Sequence, residues 1–265
     1  MRRNAVSLVL AAGLMAMVLP QAVRAAETAV DLQLILAVDI SRSMDPDEQQ
    51  LQRNGYVAAI TNPDLVAAIT HGPNKRIALS YIEWAGPGMQ NIVVDWRMID
   101  GAASAQAFAD ALAAAPLETY RGTSISGGIT FAKSRFDDSG FRAPRRVIDV
   151  SGDGPNNMGI PIELAREEVV RAGITINGLP IMIKQMGDFL SVDNLDVYYR
   201  DCVIGGAGAF MEVVRSADQF EAAIKRKLVL EIADRAPPPL LTPAADTRRI
   251  DCMVGEKLRQ RWMNE

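Results

Sequence analysis

The sequence predicts an α/β fold: a doubly wound, mostly parallel sheet with one antiparallel edge strand and helices on both faces. Three observations carry this. Short apolar runs recur at residues 32–39, 146–151 and 174–180, each of a length and composition suited to a strand buried on both faces. Segments of helical length lie between them, so parallel strands joined by crossover helices are the natural arrangement. The runs also end in residues that carry chemistry, Asp39 after the first and Asp153 just after a later one. Ligands of open α/β sheets bind beyond the carboxyl ends of the strands.

Residues 1–25 read as a secretory signal peptide. Arg2 and Arg3 precede an uncharged stretch over 5–19, and Val23-Arg24-Ala25 has the small-x-small spacing of a cleavage site. The stretch is too short and too rich in alanine for a membrane span, so no span remains once the signal is removed. Export places the product in the periplasm or outside the cell. The chain carries a net charge of −4, and the leader holds three arginines and no acid, which leaves the exported part more acidic still. Nucleic acid and anionic membrane surfaces are poor partners for such a chain.

The remainder divides into one domain over 26–233 and a Pro-rich tail over 234–265. Asp45-Pro46-Asp47-Glu48 starts a helix to about Ile60, with Asp45 as cap and Glu48 reaching back to it. Asn62-Pro63 restarts a shorter helix. Residues 76–84 form a strand, Ala85-Gly86-Pro87-Gly88 a turn, and 91–96 an antiparallel return at the sheet edge. A helix follows at 103–114, and the stretch 120–128 opens another to about Phe136, with Thr123 a candidate cap. Then come the strand 146–151, a helix over 161–171 and the strand 174–180. A short helical stretch near 191–199 precedes a last strand at 209–214. Ser216-Ala217-Asp218-Gln219 caps a final helix to Ile232, and Pro237-Pro238-Pro239 opens an extended tail.

Two cysteines, Cys202 and Cys252, are the whole complement, and export allows them to form a disulfide that ties the tail back. One histidine, His71, sits in the turn-like Thr-His-Gly-Pro and reads as a surface residue, so zinc chemistry or a His-dependent triad has little to build on. Glu83 and Asp149 fall inside strands. Buried carboxylates need partners, and an internal salt bridge to a nearby arginine is preferred here over a catalytic acid–base pair.

The candidate site is Asp39-Ile40-Ser41-Arg42-Ser43 together with Thr123 and Asp153. These residues leave the same sheet edge in the predicted fold, so five oxygen-bearing side chains converge. Hard oxygens suit Mg²⁺, with Mn²⁺ or Ca²⁺ as alternatives. Two carboxylates balance a divalent ion without saturating it, which leaves a position attractive to an outside anionic oxygen.

These residues resemble the metal-ion-dependent adhesion site of the von Willebrand factor A (VWA) domain family, D-x-S-x-S followed by Thr and then Asp, over roughly residues 29–232. Phrases such as Tyr81-Ile82-Glu83-Trp84-Ala85 and Ser151-Gly152-Asp153-Gly154-Pro155-Asn156-Asn157 resemble an uncharacterised bacterial subfamily of exported VWA-like proteins. The resemblance implies a protein partner that completes the metal shell through an Asp or Glu. It also implies a mobile C-terminal helix in relatives, which a tail disulfide would restrain here. The alternatives are a Mg²⁺-dependent hydrolase or phosphotransferase, and a structural VWA domain that binds no metal-dependent partner. The first lacks a phosphate-binding G-x-x-x-x-G-K-[ST] loop, a D-x-D nucleophile motif and an available histidine base. No enzymatic activity is expected.

Overall fold

The computed structural model describes residues 27–183, 192–235 and 249–264. Residues 1–25, expected to be a signal peptide, and the proline run at 237–239 lie outside the described residues. In chain order the elements are β1 (Thr28–Ala29), β2 (Leu32–Asp39), α1 (Pro46–Ile60), α2 (Pro63–Thr70), β3 (Ile77–Trp84), β4 (Gln90–Ile99), α3 (Ala102–Ala114), α4 (Ile125–Ser134), β5 (Phe141–Arg142), β6 (Arg145–Gly152), α5 (Ile162–Arg171), β7 (Thr175–Pro180), α6 (Leu195–Tyr198), α7 (Phe220–Ile232) and α8 (Val254–Asn264).

The main sheet runs β4-β3-β2-β6-β7. All its neighbours are parallel except β3 and β4, which form the expected antiparallel edge. Alternation along β2 explains the two layers of helices. Leu32, Leu34, Leu36 and Val38 face one core with α1, α2, α3 and α7, whereas Ile35 and Ala37 face the other with α4, α5 and α6. Every residue of β2 is buried, which is why its sequence reads as an unbroken apolar run rather than an alternating one.

The starts of α1 and α2 follow their sequence signals. Asp45 accepts from Glu48 N at 2.8 Å and Glu48 Oε2 accepts from Asp45 N at 3.0 Å, a reciprocal cap. Asn62 caps α2, with Pro63 in its first turn.

Two expectations are corrected. Residues 209–214 do not form a strand; they meet β7 and the residue after it through the isolated bridges Gly178↔Met211 and Ile181↔Val214. The segment runs beside β7, but Phe210 N donates to the Asn177 side chain at 2.9 Å and Pro180 has no N–H for a ladder. The tail is not wholly extended either: α8 forms within it. Val254, Leu258 and Trp262 recur at helical spacing within it, a signal that the reading of the tail as extended passed over.

The carboxylates inside the strands are paired. Glu83 meets Arg53 of α1 in a buried ion pair, and the Arg53 guanidinium also stacks 5.6 Å from the centre of the Tyr81 ring. Burial pushes the Glu83 carboxyl up, against the lowering influence of Arg53. Asp149 pairs with a lysine rather than an arginine: Lys227 Nζ lies 2.5 Å from Asp149 Oδ1 and 3.3 Å from Glu231 Oε2. Glu231 also accepts from Asn177 Nδ2 at 2.7 Å.

Burial, with the charge of Asp149 adding to it, pushes Glu231 up to about 7 from its ordinary 4.5. A carboxyl raised in this way contributes stability that is complete below its ordinary value and is lost as pH rises through its folded value. Glu231→Gln should therefore gain on wild type as pH rises from about 5 to 8, read by urea denaturation at each pH. A difference between the two proteins that stays constant over this range would contradict the placement of this carboxyl.

Candidate metal centre

Parallel pairing of β2 with β6, in register at Val38↔Ser151, brings the ends of both strands to one edge of the sheet. Asp39 is the last residue of β2, and Asp153 follows β6 directly. Beyond Asp39 the chain turns, with Met44 N donating to Ser41 O at 3.0 Å. Backbone bonds then tie this turn to the segment that carries Thr123. Arg42 N donates to Tyr120 O at 2.9 Å, and Tyr120 N to Ile40 O at 3.1 Å. Thr123 is clamped from the far side by Asn157, which donates its N–H to Thr123 O (2.9 Å) and accepts Thr123 N–H on its side-chain oxygen (3.0 Å). Asn156 does the same for the next turn, accepting from Ser126 N at 3.0 Å. The α4 cap is Ser124, which accepts from Gly127 N. Thr123 is thus left clear of the capping role.

The side chains form a chain of oxygens. Ser41 Oγ is 2.8 Å from Ser43 Oγ, and Ser43 Oγ donates to Asp153 Oδ1 at 2.6 Å. Ser41, Ser43, Thr123 and Asp153 line one cavity of about 640 Å³. Asp39 does not line it. It is fully buried and reaches the cavity wall through Ser41, whose N–H donates to Asp39 Oδ1 at 2.7 Å. A Cβ on Gly152 would sit 2.9 Å from Asp39 Oδ2, so glycine is what lets β6 pass this close to the carboxylate. The buried Tyr199 phenol feels both acids. Burial raises it well above its ordinary range, and the charges of Asp39 and Asp153 raise it further.

The donor set fits a hard divalent cation. It consists of hydroxyls and carboxylates only, and among the described residues no cluster of three His, Cys, Asp or Glu side chains offers a softer site. The 2.6 and 2.8 Å oxygen spacings approach the edge of roughly 3 Å expected for an octahedron of oxygens around Mg²⁺. His71 is remote from this chemistry: it ends α2, with Nδ1 2.6 Å from Ala67 O on an exposed face.

The sequence reading missed Asn156 and Asn157 as positioning residues; an Asn-Asn pair after an Asp-Gly-Pro turn was the available signal. It also missed Arg259 and Trp262 of α8, which line the same cavity. The expected disulfide is present: Cys202 and Cys252 are joined, with Cα atoms 5.5 Å apart.

Solved structures share this fold. Proximal thread matrix protein 1 from the mussel byssus is 15% identical over 78% of this chain and 49% of its own, with a TM-score of 0.56. The same protein has been solved with zinc in its metal-ion-dependent adhesion motif. The pilus adhesin SpaC of Lactobacillus rhamnosus GG, in its open conformation, is 14% identical over 77% of this chain and 30% of its own, with a TM-score of 0.56. A von Willebrand factor type A protein from Catenulispora acidiphila is 13% identical over 77% of this chain and 43% of its own, with a TM-score of 0.54. The chain spans less than half the length of each of these proteins. At such identities the likeness is one of fold, and the fold is VWA-like. No curated protein matches the chain. The model of the family described as "Protein of unknown function (DUF1194)" matches residues 29–236, and the chain belongs to that family.

Proposed function

We propose that this protein is an exported, metal-dependent protein-binding module of the periplasm or the cell exterior. Asp39, Ser41, Ser43, Thr123 and Asp153 would hold Mg²⁺, or Mn²⁺ or Ca²⁺ in its place, and an Asp or Glu of a partner protein would complete the shell. The observation that carries this reading is the run of oxygens from Ser41 through Ser43 to Asp153, beside Thr123, on the wall of one open cavity. When bound, the ion supplies a Lewis-acidic point that attracts an anionic oxygen from outside. The chain's own residues prepare that point. Asp39 contributes charge and fixes the Ser41 backbone, Asn157 clamps Thr123, and the ion is not saturated by two carboxylates.

Binding is favoured over catalysis by the lining of the cavity. Its described residues include no histidine to move a proton, and the remaining buried acids are engaged elsewhere, Glu83 with Arg53, and Asp149 and Glu231 with Lys227. Among the described residues no helix is long and apolar enough to cross a membrane.

Titration calorimetry tests the metal. Wild type should bind one Mg²⁺ or Mn²⁺ per chain, and Asp39→Ala should bind none while its circular dichroism spectrum stays unchanged. Equal binding by the two proteins would remove the assignment. Metal-dependent hydrolysis of a phosphoester that disappears in Asp153→Ala would replace the binding reading with the enzymatic one.

A further inference from the structure

The cavity at the metal centre has a wall that the sheet edge does not supply. Arg259 and Trp262 of α8 line it together with Ser43, Thr123 and Asp153. The helix is anchored in front of the site at several points. The disulfide joins Cys252, two residues before the helix, to Cys202, and Ile250 N donates to Asp201 Oδ2 at 3.2 Å. Asn156 Nδ2, in the loop that begins at Asp153, donates to Glu256 Oε1 at 2.8 Å. Gly255 lies against that same loop, and a Cβ there would fall 2.1 Å from Asn156 O. The first turn of α8 is therefore packed directly on the metal-binding loop.

What α8 presents is unusual for a surface that serves only solubility. The Trp262 side chain is 56% exposed and its neighbour Met263 59%, whereas Trp84 is fully buried in the core. Exposed aromatic residues beside a pocket are a mark of recognition surfaces. Charge points the same way. The chain is acidic overall, yet Arg42, Arg121 and Arg259 all line this cavity, and among the described residues none of the three is held in an ion pair. Three acids share the lining: Glu48 closes the α1 cap, Asp153 accepts from Ser43 and is a candidate metal ligand, and Asp193 is exposed.

We propose that α8 is the recognition helix of this site and that its ligand is an extended acidic peptide segment. A carboxylate of that segment would be directed to the metal centre within reach of Arg259, and an apolar neighbour of the carboxylate would pack on Trp262. The inference rests on the metal-centre reading, and the experiment separates the two.

Four synthetic octapeptides serve as probes, with a central Asp or Asn flanked by either leucines or serines. Each is titrated into the full exported chain with Mg²⁺, and Mg²⁺ binding is measured separately for every variant. Wild type should prefer Asp over Asn and leucine flanks over serine flanks. Arg259→Ala should weaken the Asp peptides about tenfold and leave the Asn peptides unchanged, as loss of a charge-assisted hydrogen bond requires. Trp262→Ala should remove about fivefold of the preference for leucine flanks. Both variants should bind Mg²⁺ as wild type does. If wild type binds Mg²⁺ but shows no preference among the peptides, or if neither α8 variant alters it, the recognition role is overturned while the metal centre stands. Failure of wild type to bind Mg²⁺ overturns both.

Discussion

Lys227→Met is expected to destabilise the fold by about 3–5 kcal/mol at neutral pH, the usual consequence of leaving buried charges without their counterion. The ammonium is enclosed between α7 and β6, in contact with Asp149 and Glu231. Phe210 offers its ring face 5.3 Å away. Methionine preserves much of the unbranched stem, so the loss comes from charge rather than packing. The ammonium also holds the Glu231 carboxyl down against burial, and without it that carboxyl titrates higher still. The variant should therefore recover stability on acidification, with a smaller deficit near pH 5 than near pH 8. Adding Asp149→Asn and Glu231→Gln to the variant should restore much of the loss, because no uncompensated charge then remains. Urea denaturation across this pH range is the measurement. A loss below about 1 kcal/mol at pH 8 would show that the cluster is solvated rather than sealed.

Removing the disulfide with Cys202→Ala and Cys252→Ala should cost about 4 kcal/mol. The bond spans a sequence separation of 50, and constraint of the unfolded chain by a loop of that size is worth roughly this much in the chain-entropy model. The effect should be local as well as global. Without the bond, α8 keeps the Asn156–Glu256 and Ile250–Asp201 contacts but loses its covalent anchor. Limited proteolysis should then release the tail from the variant while wild type resists. Mg²⁺ binding should survive, since all five candidate ligands precede Gly154. Thiol titration of denatured, unreduced wild type should find no free thiol; two per chain would refute the bond. In wild type, amide exchange over residues 216–232 should change little when Mg²⁺ is added, and a large change would show that α7 moves despite the tether.

How far the sequence could be read depended on how local each signal was. The strand β2 was plain because burial on both faces leaves no polar position to interrupt its apolar run. The starts of α1 and α2 were plain because a capping box and an Asn-Pro restart are complete within a few residues. Residues 209–214 misled for the opposite reason. Their composition suits a strand, and Gly178 and Pro180 of β7 do bond to their backbone. But Pro180 has no N–H to donate and Phe210 N turns to the Asn177 side chain, so the ladder is interrupted and only isolated bridges remain. The helix α8 was hidden because it is short and its support comes from packing on the Asn156 loop and from the disulfide, neither of which shows in eleven residues of local sequence.

Taken alone, the sequence determined the fold class and the position of the strand ends, and it singled out five oxygen-bearing residues as a candidate site, because each rests on spacing and residue type within short stretches. Tertiary structure decided the rest. It set Asp39 behind the cavity wall and the other four side chains on it, chose Lys227 rather than an arginine for Asp149, and placed Arg259 and Trp262 on the same cavity as Asp153. These outcomes depend on distances between residues that are remote in the chain. Such distances are fixed by how helices pack on the two faces of the sheet, and no local pattern encodes that packing.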